Sequence, residues 1–195
     1  MSAVLSDTPL PVRFKLTVEQ YHRMVALGIL REDERVELLD GELIAMAPIG
    51  RLHGGLVVRL NRLLVQRGAG HTVILPQSSL ILSDVSEPQP DFAVLHWRAD
   101  DYTSRTPAAA DALLVIEISD STLRYDRDVK RRFYAEAGVR EFWVVDVHAR
   151  QILVHRDPAG QLYRSVQALT AGDTAVCQAL PQVSIGVDEL FAGVD

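Results

Sequence analysis

Leu113-Leu114-Val115-Ile116-Glu117-Ile118-Ser119 is the stretch that decides the fold. A short apolar run rich in β-branched residues is typical of a central strand that is covered on both faces. One residue, Glu117, places a carboxylate inside this run. Burying an ionised carboxylate costs several kcal/mol unless a cation or hydrogen bonds meet it. The sequence therefore predicts a partner for Glu117, and both an arginine in a buried ion pair and a bound metal ion are open alternatives.

The composition around this strand is that of a soluble globular protein. The chain has 195 residues, of which 48% are hydrophobic and 24% charged, and we expect one domain over residues 13–195. Residues 1–12, with Pro9 and Pro11, predict a flexible N-terminal arm. No apolar run approaches the roughly 20 residues that span a bilayer, so we expect a cytoplasmic protein that does not enter membranes. Cys177 is the only cysteine, which excludes an internal disulfide and a cysteine zinc cluster.

The charge distribution gives a weak indication of partners. A formal net charge of −6 argues against a protein that coats nucleic acid, because Lys and Arg supply most non-specific affinity for phosphates. Arg124, Arg127 and Arg131 are spaced so that they share one face of a helix. For such a run taken alone, a solvated helix face is the default interpretation.

Local patterns in the first half of the chain predict a helix, a hairpin and a second helix. Thr17 and Gln20 form a capping box that starts a helix ending at Gly28. Residues 35–46 predict a hairpin around Asp40-Gly41, because this pair supplies the positive φ angles of a tight turn. The second helix carries an apolar stripe at helical spacing, formed by Leu56, Leu60, Leu63 and Leu64.

The second half predicts strands around one further helix. Strands are expected at residues 71–75, 79–82, 92–95, 113–119, 141–147, 150–156 and 162–166, with a loop at Asp157–Gly160. Residues 126–137 predict a helix that buries Val129, Phe133 and Ala137, with Lys130 at the border of that stripe. The order of elements predicts an α/β (α+β) fold with a mixed central sheet flanked by helices.

Two carboxylates on neighbouring strands indicate chemistry. Asp91 follows Pro90 at the start of one strand, and Glu117 lies in another. Mg²⁺ prefers hard oxygen ligands and is often held by one or two carboxylates plus water and phosphate. A lysine nearby, such as Lys130, could position or deprotonate an attacking water during phosphodiester hydrolysis. The alternatives are that Asp91 only opens a strand and that Lys130 is a solvated partner of Asp126.

Considered together, these residues resemble the Uma2 family, a bacterial branch of the PD-(D/E)XK nucleases with a restriction endonuclease-like fold. The resemblance covers nearly the whole chain. It rests on Thr17-x-Glu19-x-Tyr21, Glu37-Leu-Leu-Asp-Gly-Glu-Leu, Ala47-Pro48 with His53, Pro90-Asp91, Val115-Ile-Glu117-Ile-Ser119-Asp-Ser-Thr122, Asp126-x-x-x-Lys130 and Tyr134-x-x-x-Gly138-Val-x-Glu141-Phe-Trp143-Val-Val-Asp146.

The resemblance implies roles for particular residues. Asp91 and Glu117 would be metal-binding acids, the backbone carbonyl of Ile118 a further ligand, and Glu37 an additional acid near the metal. The superfamily lysine normally stands two residues after the acid, where this chain has Ser119, and the resemblance points instead to Lys130 on the following helix.

We therefore hypothesise a Mg²⁺-dependent endonuclease, with Mn²⁺ as a substitute, that acts on DNA as a homodimer. Asp91, Glu117 and Lys130 would be catalytic, and His53 would lie beside the site. The phosphate backbone would be contacted by Arg59, Arg127 and Arg131. One alternative is a catalytically inactive nucleic-acid-binding or protein-interaction member of the same fold, which the acidic charge and Ser119 would favour. Another is a hydrolase of small phosphoesters.

Overall fold

The computed structural model describes residues 13–31 and 33–194, so the predicted N-terminal arm at residues 1–12 lies outside the described residues. The order of elements is α1 (Val18–Ala26), β1 (Val36–Leu39), β2 (Glu42–Ala45), α2 (Arg51–Gly68), β3 (Thr72–Pro76), β4 (Phe92–His96), β5 (Ala112–Ser119), α3 (Leu123–Tyr125), a π-helical turn (Asp126–Lys130), α4 (Arg131–Glu136), β6 (Glu141–Asp146), β7 (Gln151–Ala159), β8 (Leu162–Leu169), β9 (Thr174–Val176), β10 (Ser184–Gly186) and α5 (Val187–Phe191), with a 3₁₀ turn at Ala109–Asp111.

A six-stranded mixed sheet forms the centre, in the order β3-β4-β5-β6-β7-β8. All neighbouring strands are antiparallel except β5 and β6, which are parallel. Parallel neighbours need a crossover connection, and here the crossover is the helical segment from α3 to α4. The predicted fold class, a mixed sheet flanked by helices, is confirmed.

Strand β5 is covered on both faces, as its apolar run predicts. Its even-numbered residues Leu114, Ile116 and Ile118 pack against α2, whose buried side chains are the four predicted leucines. Successive side chains on a strand point to opposite faces. Val115 and Glu117 therefore point to the other face, where the crossover helix packs with Tyr134.

The hairpin of β1 and β2 turns at Asp40 and Gly41, as predicted. Both residues have positive φ angles, +49° and +74°, and the register pairs Leu39 with Glu42 across a two-residue loop. The hairpin is joined to the segment before β4, because Leu38 and Glu87 exchange two backbone hydrogen bonds of 3.3 and 2.7 Å. This pairing brings Glu37 close to the chain that leads into Asp91.

Two predicted elements differ in the structure. The strand expected at residues 79–82 is absent from the described part of the sheet, because the amides of Leu80 and Ile81 bond to two different partners, Pro88 and Pro107. The loop expected at Asp157–Gly160 is also wrong, since β7 continues to Ala159. Asp157 takes a φ of +59°, and the pairing of β7 with β8 keeps its register past it, with Pro158 opposite Tyr163.

The predicted buried stripe of the crossover helix is wrong at Val129, whereas Phe133 and Ala137 are partly buried and Ala137 packs against the core. Val129 is 37% exposed, whereas Asp126, Lys130 and Tyr134 are buried. The spacing is helical in both cases, but the face turned inward is the polar one. The reason is that this helix covers Glu117, so polar side chains are needed beneath it. None of the helices in the described part of the chain is long and apolar enough to cross a membrane.

Replacing Gly41 with alanine should destabilise the protein more than the same change at Gly28. Both glycines have positive φ, which costs an alanine about 1–2 kcal/mol. A Cβ at Gly41 would also lie 2.5 Å from Cβ and 2.8 Å from Cα of Lys15, whereas Gly28 has nothing within 4 Å. Urea unfolding of both variants measures the difference, and equal losses would contradict the predicted overlap.

Candidate active site

The carboxyl end of β5 opens into a cavity of about 290 Å³. The three residues predicted to be catalytic, Asp91, Glu117 and Lys130, all line it. The remaining lining residues are Arg35, Glu37, Ile44, Ala45, Met46, Ala47, Pro48, Ile49, Gly50, His53, Gln89, Ile118, Asp120, Ser121, Thr122, Tyr125 and Asp126. Residues from the hairpin, α2, β5 and the crossover helix thus meet at one place.

Glu117 and Lys130 form the centre of the site. The Lys130 ammonium lies 3.1 Å from Oε1 of Glu117 and 3.0 Å from Oε2 of Glu37, and all three side chains are buried. The partner of Glu117 is thus a lysine, where the sequence left open an arginine or a metal ion. Asp126, the partner considered for Lys130, is not its ion-pair partner in the described residues.

Tyr134 is a site residue that the sequence analysis missed. Its hydroxyl donates a 2.7 Å hydrogen bond to Oε1 of Glu117, the same oxygen that contacts Lys130. Burial raises the pKa of Tyr134 well above its ordinary value, so the hydroxyl remains a donor. The four-residue spacing of Asp126, Lys130 and Tyr134 could have identified it, because these three side chains share one helix face.

Glu37 reaches the site from the hairpin. Its Oε2 accepts a 3.2 Å hydrogen bond from the backbone N–H of Gln89 and contacts Lys130. Gln89 lies two residues before Asp91, so one short segment supports acids from two different elements. The structure therefore places Glu37 beside the predicted catalytic residues.

Asp91 is positioned by the register of β4 against β5. Phe92 pairs with Ile116, and continuing this antiparallel register places Asp91 opposite Glu117 on the same face of the sheet. Oδ2 of Asp91 accepts a 2.8 Å hydrogen bond from the Ile118 N–H and lies 3.0 Å from Nε2 of His53. Oδ1 has only a long contact, 3.4 Å, to the Gln77 amide.

Pro90 affects the backbone of Ile118. The same register places Pro90 opposite Ile118, and proline has no N–H to donate to the Ile118 carbonyl. The Ile118 N–H faces β4, because it donates to Asp91, and the carbonyl of a residue in an extended strand faces the same side as its N–H. Pro90 therefore offers this carbonyl no backbone donor.

Asp126 is the fourth buried acid of the cavity. Its Oδ2 accepts hydrogen bonds from the hydroxyls of Ser119, at 2.8 Å, and Thr122. Ser119 occupies the position where the superfamily lysine normally stands, and here it orients an acid instead. Burial raises the pKa of Asp126, while Lys130 acts in the opposite direction.

The four buried acids share one property that suits a metal ion: each binds the protein mainly through one oxygen. In the described residues no donor reaches Oε1 of Glu37, Oε2 of Glu117 or Oδ1 of Asp126, and Oδ1 of Asp91 has only its long contact. Hard oxygen atoms of this kind are the ligands that Mg²⁺ prefers. The residues present therefore fit a divalent cation.

The acidic side chains of the cavity do not form a group of three that converges on one metal position. No group of three His, Cys, Asp or Glu side chains in residues 13–31 and 33–194 is placed to hold a metal ion. Mg²⁺ does not require such a group, since one or two carboxylates with water and phosphate oxygens are sufficient. Asp91, Glu117 and the Ile118 carbonyl would form a set of this smaller kind.

The acids outnumber the cations in this cavity, and this imbalance changes their ionisation. Burial raises the pKa of Glu117 to about 8; Lys130 opposes the shift, and the nearby acids add to it. Burial lowers the pKa of Lys130, but the carboxylates around it more than offset this and raise it above its ordinary value. Lys130 therefore stays protonated. The hydrogen bond with Asp91 raises the pKa of His53.

The three arginines predicted to contact phosphate do not line the cavity. Arg59 donates a 2.7 Å hydrogen bond to the Leu190 carbonyl, and Arg127 pairs with Asp128 on the surface. Arg131 lies near His155 and Tyr163: burial lowers the pKa of His155 and raises the pKa of Tyr163, and the charge of Arg131 acts to lower both. Their predicted contact with nucleic acid stays a prediction. His53 lines the cavity and contacts Asp91.

The mixed sheet flanked by helices is the restriction endonuclease-like fold that the resemblance implied. Within this class, the sequence profile of the Uma2 family, described as "Putative restriction endonuclease", matches residues 18–188. The chain belongs to the Uma2 family.

A solved structure shows the same fold. It is a protein from Anabaena variabilis described as "a putative nuclease", and it matches with a TM-score of 0.69 and 14% sequence identity. The match covers 90% of this chain and 97% of that chain. At this identity the likeness shows the fold alone. A comparison with the curated proteins gives no match.

The buried Glu117 should make the protein less stable as the pH rises. Its pKa is about 8 in the folded protein against 4.5 ordinarily, so between these values the unfolded chain releases a proton that the folded protein keeps. Stability present below pH 4.5 is therefore lost as the pH rises towards 8. Urea unfolding in EDTA, from pH 5 to pH 8, should show a steeper loss for the wild type than for Glu117→Gln. Parallel curves would contradict this assignment.

Proposed function

We propose that this protein is a divalent-metal-dependent nuclease that hydrolyses phosphodiester bonds in DNA. The observation that carries the proposal is the group of four buried acids around one protonated lysine, each acid with an oxygen left available. A purely structural cluster would be expected to pair these charges within the protein. The family description and the fold of the Anabaena variabilis protein are consistent with the proposal.

Asp91, Glu117 and the Ile118 carbonyl would hold the cation, Mg²⁺ or Mn²⁺ in its place, with Glu37 as an additional acid. A divalent cation bound there would polarise the phosphoryl oxygens and stabilise the negative charge that develops during hydrolysis. Tyr134 and Lys130 both contact Oε1 of Glu117, so Oε2 would remain available to hold the cation. His53 and the Ile118 N–H fix Asp91 in the same way.

Lys130 serves as a cation and hydrogen-bond donor. Because its pKa is raised, it is protonated at neutral pH and is a poor general base. Its ammonium can orient the attacking water and offset charge on the phosphate. This role differs from proton abstraction, which the sequence analysis also considered. The expected homodimer rests on the analogy with enzymes that cut both strands of a duplex, and size-exclusion chromatography with light scattering tests it.

Cleavage should depend on the acids and on Lys130. Incubation of DNA with Mg²⁺ or Mn²⁺ should give cleavage by the wild type. Asp91→Ala and Lys130→Met should each lower the rate by about 10²-fold or more, because the first removes a ligand of the cation and the second removes a positive charge near the phosphate. Gel electrophoresis of labelled oligonucleotides and supercoiled plasmid measures this loss.

Matched controls exist for both variants. Asp128→Ala is the control for Asp91→Ala: it removes an exposed acid, from the helical turn that carries Lys130. Lys15→Met is the control for Lys130→Met: it removes the only other lysine, which pairs with Asp40 on the surface. Both should retain wild-type rates. Cleavage that survives in Asp91→Ala and Lys130→Met would place the activity elsewhere or in a contaminant. Absence of cleavage with intact metal binding would favour the inactive, binding-only alternative.

Calorimetric titration with Mn²⁺ should show binding that releases protons. Glu117 is mostly protonated at neutral pH without a cation, because its pKa is about 8, and a ligating carboxylate must be ionised. The apparent binding enthalpy should therefore vary with the ionisation enthalpy of the buffer. Glu117→Gln should abolish this variation and weaken binding, whereas Asp128→Ala should change neither. Binding heat unaffected by Glu117→Gln would refute the proposed ligand.

A further inference from the structure

The hydroxyl of Tyr125 is a polar group of the candidate active site that has no role in the proposed hydrolysis. Tyr125 lines the cavity together with Glu37 and Lys130. Its hydroxyl is buried and has no hydrogen-bond partner among the residues that the structure describes. Buried hydroxyls in proteins almost always have a partner, and one that lacks a partner lowers the stability of the folded state. This exception therefore calls for a functional reason.

The π-helical turn of the crossover helix brings Tyr125 to the cavity. Tyr125 lies five residues before Lys130, and in an α-helix two side chains with this spacing point about 140° apart. In the π-helical turn the Arg131 N–H donates to the Asp126 carbonyl, five residues back, so one turn holds more residues than in an α-helix. Side chains five residues apart then lie on one side of the helix, and both Tyr125 and Lys130 line the cavity. Turns of this kind are rare and are frequent at functional sites.

Glu37 offers the acceptor that this hydroxyl lacks. Its Oε2 accepts from the Gln89 N–H at 3.2 Å and lies 3.0 Å from the Lys130 ammonium, whereas no donor in the described part of the chain reaches Oε1. Burial raises the pKa of Tyr125, and the charge of Glu37 raises it further, more than the charge of any other acid does. Because charge effects fall with distance, the hydroxyl and this carboxylate lie close together. A donor without an acceptor and an oxygen without a donor are thus neighbours.

We propose that Tyr125 is a positioning residue whose hydroxyl donates to Oε1 of Glu37 when the cavity holds a divalent cation. The proposal rests on the part of the proposed function that places a cation there. Carboxylates at metal sites are oriented by hydrogen bonds from surrounding groups, and these bonds contribute to metal affinity. A cation would reduce the repulsion among the buried acids and so allow the Glu37 carboxylate to approach the hydroxyl. In the metal-free protein the unpaired hydroxyl lowers stability.

The test combines Tyr125→Phe with Glu37→Gln in a double-mutant cycle. The first substitution removes only the hydroxyl, and the second removes the charge of the proposed acceptor. Calorimetric titration with Mn²⁺ measures the affinity of the wild type, both single variants and the double variant, and the cycle isolates the contribution that the two residues share. Tyr163→Phe is the matched control, because the Tyr163 hydroxyl donates a 2.8 Å hydrogen bond to the Val139 carbonyl and Tyr163 does not line the cavity.

Tyr125→Phe should weaken Mn²⁺ binding about tenfold, which is the usual loss when a partner of a metal ligand is removed. In the Glu37→Gln background the same substitution should have little further effect. Urea unfolding in EDTA should show a higher midpoint for Tyr125→Phe than for the wild type, because an unpaired buried polar group is removed. Tyr163→Phe should instead lower the midpoint and leave the Mn²⁺ affinity unchanged. A merely structural tyrosine would not combine weaker ion binding with greater stability.

Three outcomes would overturn this proposal. An unchanged Mn²⁺ affinity of Tyr125→Phe would show that the hydroxyl does not act on the site. A loss of equal size in the wild-type and Glu37→Gln backgrounds would show that it acts through another group. A lower urea midpoint of Tyr125→Phe in EDTA would show that the hydroxyl already has a partner in the metal-free protein. Each of these results leaves the proposed function in place, whereas the absence of Mn²⁺ binding by the wild type would overturn both.

Discussion

The contact between Lys130 and Glu117 is the interaction on which the rest of the structure depends. Strand β5 must be apolar on both faces to form the centre of the sheet, and Glu117 is its one charged residue. Burial raises the pKa of Glu117, and a lysine and a tyrosine from the crossover helix reach the same carboxylate oxygen, where the lysine opposes this shift. The parallel pairing of β5 with β6 places that helix over Glu117.

This contact leaves the site with a surplus of negative charge. Lys130 balances one of the four buried acids, and the raised pKa values of Glu117 and Asp126 show that burial and crowding oppose full ionisation. Such strain lowers the stability of the folded protein and is typical of functional sites. The acids that make the site suitable for a cation are therefore the acids that make the protein less stable without one.

The sequence could predict the elements whose signals are local. The turn at Asp40 and Gly41, the stripe of Leu56, Leu60, Leu63 and Leu64, and the central position of β5 depend on spacing and φ preferences, and all were predicted correctly. Residues 79–82 were predicted wrongly because their amides bond to two separate segments, a choice that depends on distant residues.

The candidate site was predictable only in part for the same reason. Asp91, Glu117 and Lys130 could be proposed from residue type and family resemblance, and they do line one cavity. The inward face of the crossover helix was assigned from hydrophobicity, which selected Val129 and missed Tyr134. Because this helix covers the carboxylate of Glu117, its polar side chains face inward and hydrophobicity alone does not identify the buried face. The contact of Glu37 with Lys130 depends on the pairing of β1 with the segment before β4, which no local pattern specifies.

Pro90 has a consequence for the shape of the sheet edge. Beyond Phe92 and Ile116 the antiparallel pairing of β4 with β5 could otherwise continue. A residue other than proline at position 90 would offer its amide hydrogen to the carbonyl oxygen of Ile118. Pro90 cannot donate this hydrogen bond, and the hydrogen-bonded pairing of the two strands ends at Phe92 and Ile116. The next residues of the two strands towards this edge, Asp91 and Glu117, line the cavity.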